Sequence, residues 1–167
     1  SLKEDKFPQV NLPHCVSQLS WQKWDTSSWE DLWLYRRPLH VPQEFRSLRL
    51  FLHFDRIMAK ATPMVNGHAL PEHLGGFLPF EHEITSLITG PTNSLSVAVD
   101  SRWSNVPPSG SSKGPASIDY MLPGGICGAA ELRAVPQVFI KDVSAKSVNV
   151  LNSDRRLDVS CNIDPAL

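Results

Sequence analysis

A strong charge of either sign is missing from this chain. Its 16 Lys and Arg face 17 Asp and Glu, for a formal net charge of -1 and an isoelectric point near 6.6. That balance gives no electrostatic case for nucleic acid or an anionic membrane surface as a partner. No apolar run approaches the roughly 20 residues of a membrane span. No signal peptide opens the sequence, although a processed chain would lack one anyway. Cysteine is scarce and odd in number: Cys15, Cys127 and Cys161 allow at most one internal disulfide, nothing in the spacing fixes which, and three plain buried or half-buried thiols are expected. No His-x-His is present, so His68, His73 and His82 lack the alternating pair that a cupin-like metal site needs, and they read as turn or surface residues; neither metal nor cofactor is expected. A Ser–His–Asp triad has no nucleophile-elbow motif to stand on.

Long helical stripes are also missing, whereas 14 prolines and 9 glycines punctuate the 167 residues. Residues 1–32 are irregular in pattern and hold Trp21, Trp24 and Trp29, with Trp33 just beyond; they read as a packed entry arm with the tryptophans as anchors rather than sugar platforms. Strand signals follow. Leu32 to Val41 is the first, closed by Pro42. Leu48, Leu50, Leu52 and Phe54 alternate with Arg49, Phe51, His53 and Asp55, which predicts one apolar face. Ile57 to Val65 leads into Asn66-Gly67, the strongest short hairpin signal, because both residues tolerate the positive φ of a type I′ turn.

The glycine pair in Gly75-Gly76-Phe77-Leu78-Pro79-Phe80 suggests backbone where a Cβ would clash, and Gly76 to Glu83 reads as extended. Ile84 to Ile88 fits one helical turn capped by Thr85 or Ser86 and stopped by Gly90-Pro91. Leu95, Val97 and Val99 alternate with small polar residues, and Leu132 to Val135 resumes a strand. Between them, Val106 to Ser117 is rich in Pro, Ser and Gly and reads as a mobile loop. After Pro136, three more strands are expected at Val138 to Val143, Ser147 to Leu151 and Leu157 to Asn162. Many short strands with turn signals between them and little helix predict an all-β sandwich.

Several of these pieces, in this order, resemble one family. They are Leu12-Pro13-His14; Trp33-Leu34-Tyr35-Arg36-Arg37 followed by Val41-Pro42; Leu50 to Ala61 with the Asn66-Gly67 turn; Glu83-Ile84-Thr85 with Asn93-x-Leu95-x-Val97-x-Val99; and Asp119 through Gly124-Gly125-Ile126 to Leu132. The run is similar to the N-terminal sugar-binding domain of glycoside hydrolase family 2, the β-galactosidases, β-glucuronidases and β-mannosidases. Two departures stand out: Cys15 occupies a position where an aspartate is usual, and Cys127-Gly128 replaces the aromatic residue and arginine that usually follow Gly-Gly-Ile. A long cation that could brace neighbouring domains is therefore missing.

The resemblance implies a jelly-roll β-sandwich of the galactose-binding-domain-like type over residues 1–136. Residues 137–167 would be the first strands of a following immunoglobulin-like sandwich, or else the terminal strands of the first domain. It implies a parent enzyme that cleaves β-glycosides with two carboxylates roughly 5 Å apart, both on a TIM barrel of about 250 residues. This chain is too short to hold that barrel, and the Asn-Glu dipeptide of the family's acid/base does not occur in it. Glu81 and Glu83 are expected to be solvated strand residues and not a catalytic pair. The chain is thus expected to be non-catalytic, shaping one wall of the sugar pocket and bracing the barrel of its parent, with a homo-oligomeric parent as a further expectation. A secreted or periplasmic setting is favoured over a cytoplasmic one.

For substrate binding, the resemblance points to Asp119, six residues before Gly125. In the family an aspartate so placed reaches the active site and accepts hydrogen bonds from sugar hydroxyls, work that suits a carboxylate; a turn aspartate capping local backbone is the other reading. Arg102 and Trp103 open the long loop, where binding residues often sit, with a structural role for Trp103 equally open. An autonomous carbohydrate-binding module and a purely structural interaction domain are the rival functions.

Overall fold

The computed structural model describes residues 7–17, 25–105 and 123–165. Within them lie twelve antiparallel strands and three-residue 3₁₀ turns, in an all-β sandwich. One sheet holds β1 (Leu32–His40), β8 (Thr92–Asp100), β4 (Lys60–Val65) and β5 (His68–Ala69) in that order, with β6 (His73–Leu74) also pairing β4. The other runs β10 (Ala130–Val135), β2 (Arg49–Phe54), β7 (Phe80–Glu83). A short pair, β3 (Ile57–Met58) with β9 (Gly125–Ile126), closes one end.

The core lies between the two sheets. Leu95, Val97 and Val99 of β8 and Ala61 and Val65 of β4 face Leu50, Leu52 and Phe54 of β2. The alternation in β8 is buried on one face and half-buried or exposed on the other along most of its length, as period-two patterning requires. Pro63 sits inside a central strand, where a missing N–H would usually break a ladder. Its carbonyl accepts from Leu70 N at 2.9 Å, so its nitrogen points the same way, into the gap between β5 and β6. The hairpin after β4 forms as expected: Asn66 and Gly67 have φ of 50° and 83°. The Asn66 side chain adds ties that the turn motif alone does not announce: Nδ2 donates to Leu87 O and Asn93 Oδ1, each at 2.8 Å, and Oδ1 accepts from Ser94 N at 2.8 Å.

Several expectations are corrected. β2 has two buried faces, not one: Arg49 and Phe51, opposite the core residues, are 6% and 7% exposed. Phe139 packs edge-on against Phe51 at 5.7 Å, and the guanidiniums of Arg49 and Arg133 lie over both rings at 5.0–5.4 Å. Ile57 to Val65 is divided at Ala59 into β3 and β4, and Gly76–Pro79 bends before β7 starts at Phe80. The turn at Thr85–Leu87 has no side-chain cap; Thr85 Oγ1 instead accepts from Leu50 N and bonds Glu83.

Past Pro136 there are two strands, not three. β11 (Phe139–Val148) and β12 (Arg156–Asp164) form a hairpin that pairs with neither sheet, and the expected strand over Ser147 to Leu151 is the end of β11 and its turn, with Asn149 at φ 54°. The entry arm is exposed through Leu12 and docks from His14 onward; Trp21 and Trp24 lie outside the described residues, while Trp29 is buried. Among the thiols only Cys127 is buried, and Cys15 and Cys161 are exposed. The expected loop from Val106 to Ser117 also lies outside the described residues. No helix in the described part is long and apolar enough to cross a membrane.

Candidate functional site

Strand register puts two of the candidate residues, Arg102 and Trp103, at one end of the sandwich. Leu32 and Lys60 both pair with Asp100, and Met58 pairs with Gly125 just beyond. The chain leaves β8 at this end through Ser101, Arg102 and Trp103. Asp100 is buried, and its carboxylate accepts from Arg102 Nε at 2.8 Å and from Arg102 N at 3.2 Å. The Arg102 side chain remains 57% exposed, so one edge of the guanidinium is anchored while the group stands at the rim. The hydrogen bond to Asp100 raises its pKa, keeping it cationic. Ser101 N donates to Asp31 O at 2.9 Å and its hydroxyl to Met58 O at 3.1 Å, which welds β1, β3 and β8 together here.

Trp103 is 7% exposed and packs with Trp29, Met58, Ala59 and Cys127 in a second small core, with its backbone N–H donating to Glu30 Oε1 at 2.8 Å. A ring so enclosed offers no open face for a pyranose, and its burial favours the structural of its two readings. Asp119 lies outside the described residues. The described chain resumes at Pro123 beside the same end, since a Cβ on Gly124 would stand 2.7 Å from Ser101 Oγ.

An apolar rim was not foreseen. Leu74, Phe77 and Leu78 are 49%, 67% and 71% exposed. The pairing of Lys60 with Leu74 and the hydrogen bond from Gly75 N to Ala59 O put their loop at this same end. The adjacent glycine pair carried the signal. Gly76 lies so close to Met58 that a Cβ would fall 2.3 Å from its sulfur, as the sequence suggested; Gly75 is needed instead for its φ of +112°.

The remaining candidates sort clearly. Glu81 and Glu83 are not free in solvent: Glu81 pairs with Arg133 at 2.7 Å and Glu83 with Arg49 at 2.7 Å. The Arg49 hydrogen bonds lower the Glu83 pKa, so it is an ionised acceptor, unsuited to general-acid work. His68 is exposed, as expected for a turn residue. His73 stacks on Phe80 at 4.1 Å, and His82 meets the same ring edge-on at 5.7 Å. Both Nε2 atoms are buried without a hydrogen-bond partner, and burial, then the neighbouring His73, lowers the His82 pKa. Among the described residues no three His, Cys, Asp or Glu side chains converge as a metal site. A shallow groove lined by Val41, Leu48, Leu50 and Ile88 lies at the opposite end of the β1–β8 pair and has no aromatic wall.

Comparison with known proteins matches this architecture. The family model for the glycosyl hydrolase 2 galactose-binding domain-like unit matches residues 17–146. A β-galactosidase of Thermoanaerobacterium thermosulfurigenes is 30% identical over 161 residues, covering 95% of this chain and 22% of that protein. A β-galactosidase of Thermoanaerobacter pseudethanolicus is 32% identical over 143 residues, covering 84% and 19%. A Bacteroides uniformis β-glucuronidase structure superposes with a TM-score of 0.81 at 22% identity, over 98% of this chain and 20% of that one. The chain thus spans about a fifth of the length of these relatives. By sequence and by fold, it belongs to the galactose-binding-like domains of glycosyl hydrolase family 2.

Proposed function

We propose that this chain is the non-catalytic N-terminal sugar-binding domain of a larger β-glycosidase, forming one wall of its substrate pocket. The observation that carries the reading is the match to a family 2 galactose-binding-like domain in a chain about a fifth as long as the β-galactosidases it resembles. The two carboxylates of glycoside cleavage belong to the TIM barrel, which this length cannot supply. Asp119 is the residue assigned to the sugar, accepting hydrogen bonds from its hydroxyls. Arg102 stands at the rim as a fixed cation, and Trp103 holds that rim in place from within.

The exposed Leu74, Phe77 and Leu78 support the bracing role, since a contiguous apolar rim fits an interface with the barrel. Residues 1–136 form the sugar-binding unit in this reading, and 137–167 begin a second sandwich. A two-stranded hairpin is marginal on its own, and Val143, Leu157 and Val159 of this one are 56–60% exposed, as strands awaiting the rest of a sandwich would be.

An autonomous carbohydrate-binding module would need an exposed tryptophan platform of its own, whereas of the described tryptophans Trp29 and Trp103 are buried and Trp33 is half-buried against the core. Titration of the chain with mono- and oligosaccharides tests the choice. No binding fits a pocket wall completed only by the barrel; micromolar binding would establish the module instead.

A further inference from the structure

Two of the three cysteines, 112 positions apart in sequence, place their sulfurs 4.0 Å from each other. Backbone holds this approach in place. His14 N donates to Ile126 O at 2.7 Å and Val16 N to Gly124 O at 2.9 Å, so Cys15 lies between two hydrogen bonds that stitch the arm to the β9 segment. The seam is close-packed: a Cβ on Gly124 would stand 2.8 Å from Val16, and one on Gly125 would stand 2.6 Å from His14 O. Cys15 is exposed and Cys127 buried, while Cys161 lies on the separate β12 strand.

We propose that Cys15 and Cys127 form a reversible thiol–disulfide clasp that fastens the N-terminal arm to the Gly125–Ile126 strand when the surroundings are oxidising. A disulfide needs the sulfurs about 2.05 Å apart, a closure of about 2 Å that a change of χ1 rotamer at the exposed Cys15 can provide. The oxidant is a low-molecular-weight disulfide such as oxidised glutathione. The Cys15 thiolate attacks one of its sulfurs, which breaks that S–S bond, releases one glutathione thiolate and leaves a mixed disulfide at Cys15. The Cys127 thiol then gives its proton to solvent and attacks the Cys15 sulfur; the protein S–S bond forms and the second glutathione thiolate leaves. Two protein thiols are oxidised and one glutathione disulfide is reduced to two thiols.

The roles follow from access. Cys127 is enclosed and its sulfur donates to Gly125 O at 3.4 Å, while burial pushes its pKa up to about 12. It is a poor first nucleophile, and ring closure should quicken as pH rises. Once closed, the clasp ties a loop across nearly the whole sandwich and restricts the unfolded chain.

The test equilibrates the full chain carrying Cys161→Ser with oxidised glutathione, alkylates the remaining thiols and maps peptides without reduction. A Cys15–Cys127 linked peptide is expected, with a melting temperature raised by about 5–15 °C and restored by dithiothreitol. Cys15→Ser, an exposed change, should abolish both. Free, alkylated Cys15 and Cys127 in the folded protein would overturn the proposal, as would linkage that forms only in guanidinium. So would a linked protein that melts no higher than the reduced one.

Discussion

Gly67 has a φ of +83° with nothing within 4 Å of where a Cβ would stand, so the cost of a side chain there is purely that of the backbone. Gly67→Val should lower stability by about 1–3 kcal/mol, because a β-branched residue resists positive φ; chemical denaturation reads this directly, and an unchanged midpoint would count against the turn. Trp103 presents the reverse case, a residue whose cost lies in packing. Trp103→Ala should destabilise by about 3–5 kcal/mol, as for other buried aromatics, measured by the same denaturation. His82 supplies a pH test. Its folded pKa lies below the ordinary imidazole value, so the unfolded chain binds more protons as pH falls below about 6.5. Stability is full above that pH and is lost as pH falls through the folded-state value. His82→Gln should flatten this stage of the stability profile. It should leave the later loss below about pH 4, where Glu83 and Asp164, both lowered by the Arg49 hydrogen bonds, take up protons.

At the scale of elements, the junction between the sandwich and the β11–β12 hairpin rests on Arg49. It pairs with Glu83 at 2.7 Å and Asp164 at 2.8 Å and shares the Phe51–Phe139 rings with Arg133. Arg49→Met should leave Glu83 and Asp164 without their shared partner and lower the melting temperature clearly more than Arg156→Met on the exposed hairpin. Only one face of β2 at this junction is legible in the sequence. The core face of β2 was legible because Leu50, Leu52 and Phe54 repeat every second residue. Its second buried face was not, because the cover comes from Arg133 and Phe139, far along the chain. Val148 and Val150 made Ser147 to Leu151 look like a strand, since β-branched residues favour strands. Asn149 at φ 54° and its bond to Asp154 reverse the chain there, and Asn152-Ser153-Asp154 was the turn signal that should have outweighed the valines. At the rim, Arg102 and Trp103 were legible as the exit from a strand. The buried Asp100 that orients Arg102 was not, because its role depends on how β1, β4 and β8 meet.

For the whole molecule, the proposed function divides the labour, with this domain shaping the pocket and a barrel elsewhere in the parent doing the chemistry. The isolated chain should accordingly hydrolyse no nitrophenyl glycoside above background, against ordinary enzyme turnover of about 1–1000 per second. A chelator should leave its melting temperature within a few degrees of the untreated value. The most direct measurement of the central claim is Asp119→Ala, made both in this chain and in the parent enzyme. If Asp119 serves the sugar and not the fold, its loss should change the stability of the isolated chain by less than about 0.5 kcal/mol. Loss of a charged hydrogen-bond acceptor to the sugar costs about 1.5–3 kcal/mol, so kcat/KM of the parent should fall roughly ten- to a hundredfold. Unaltered kcat/KM in the mutant parent, or a structure with the Asp119 carboxylate buried and bonded only within its own domain, would contradict the assignment.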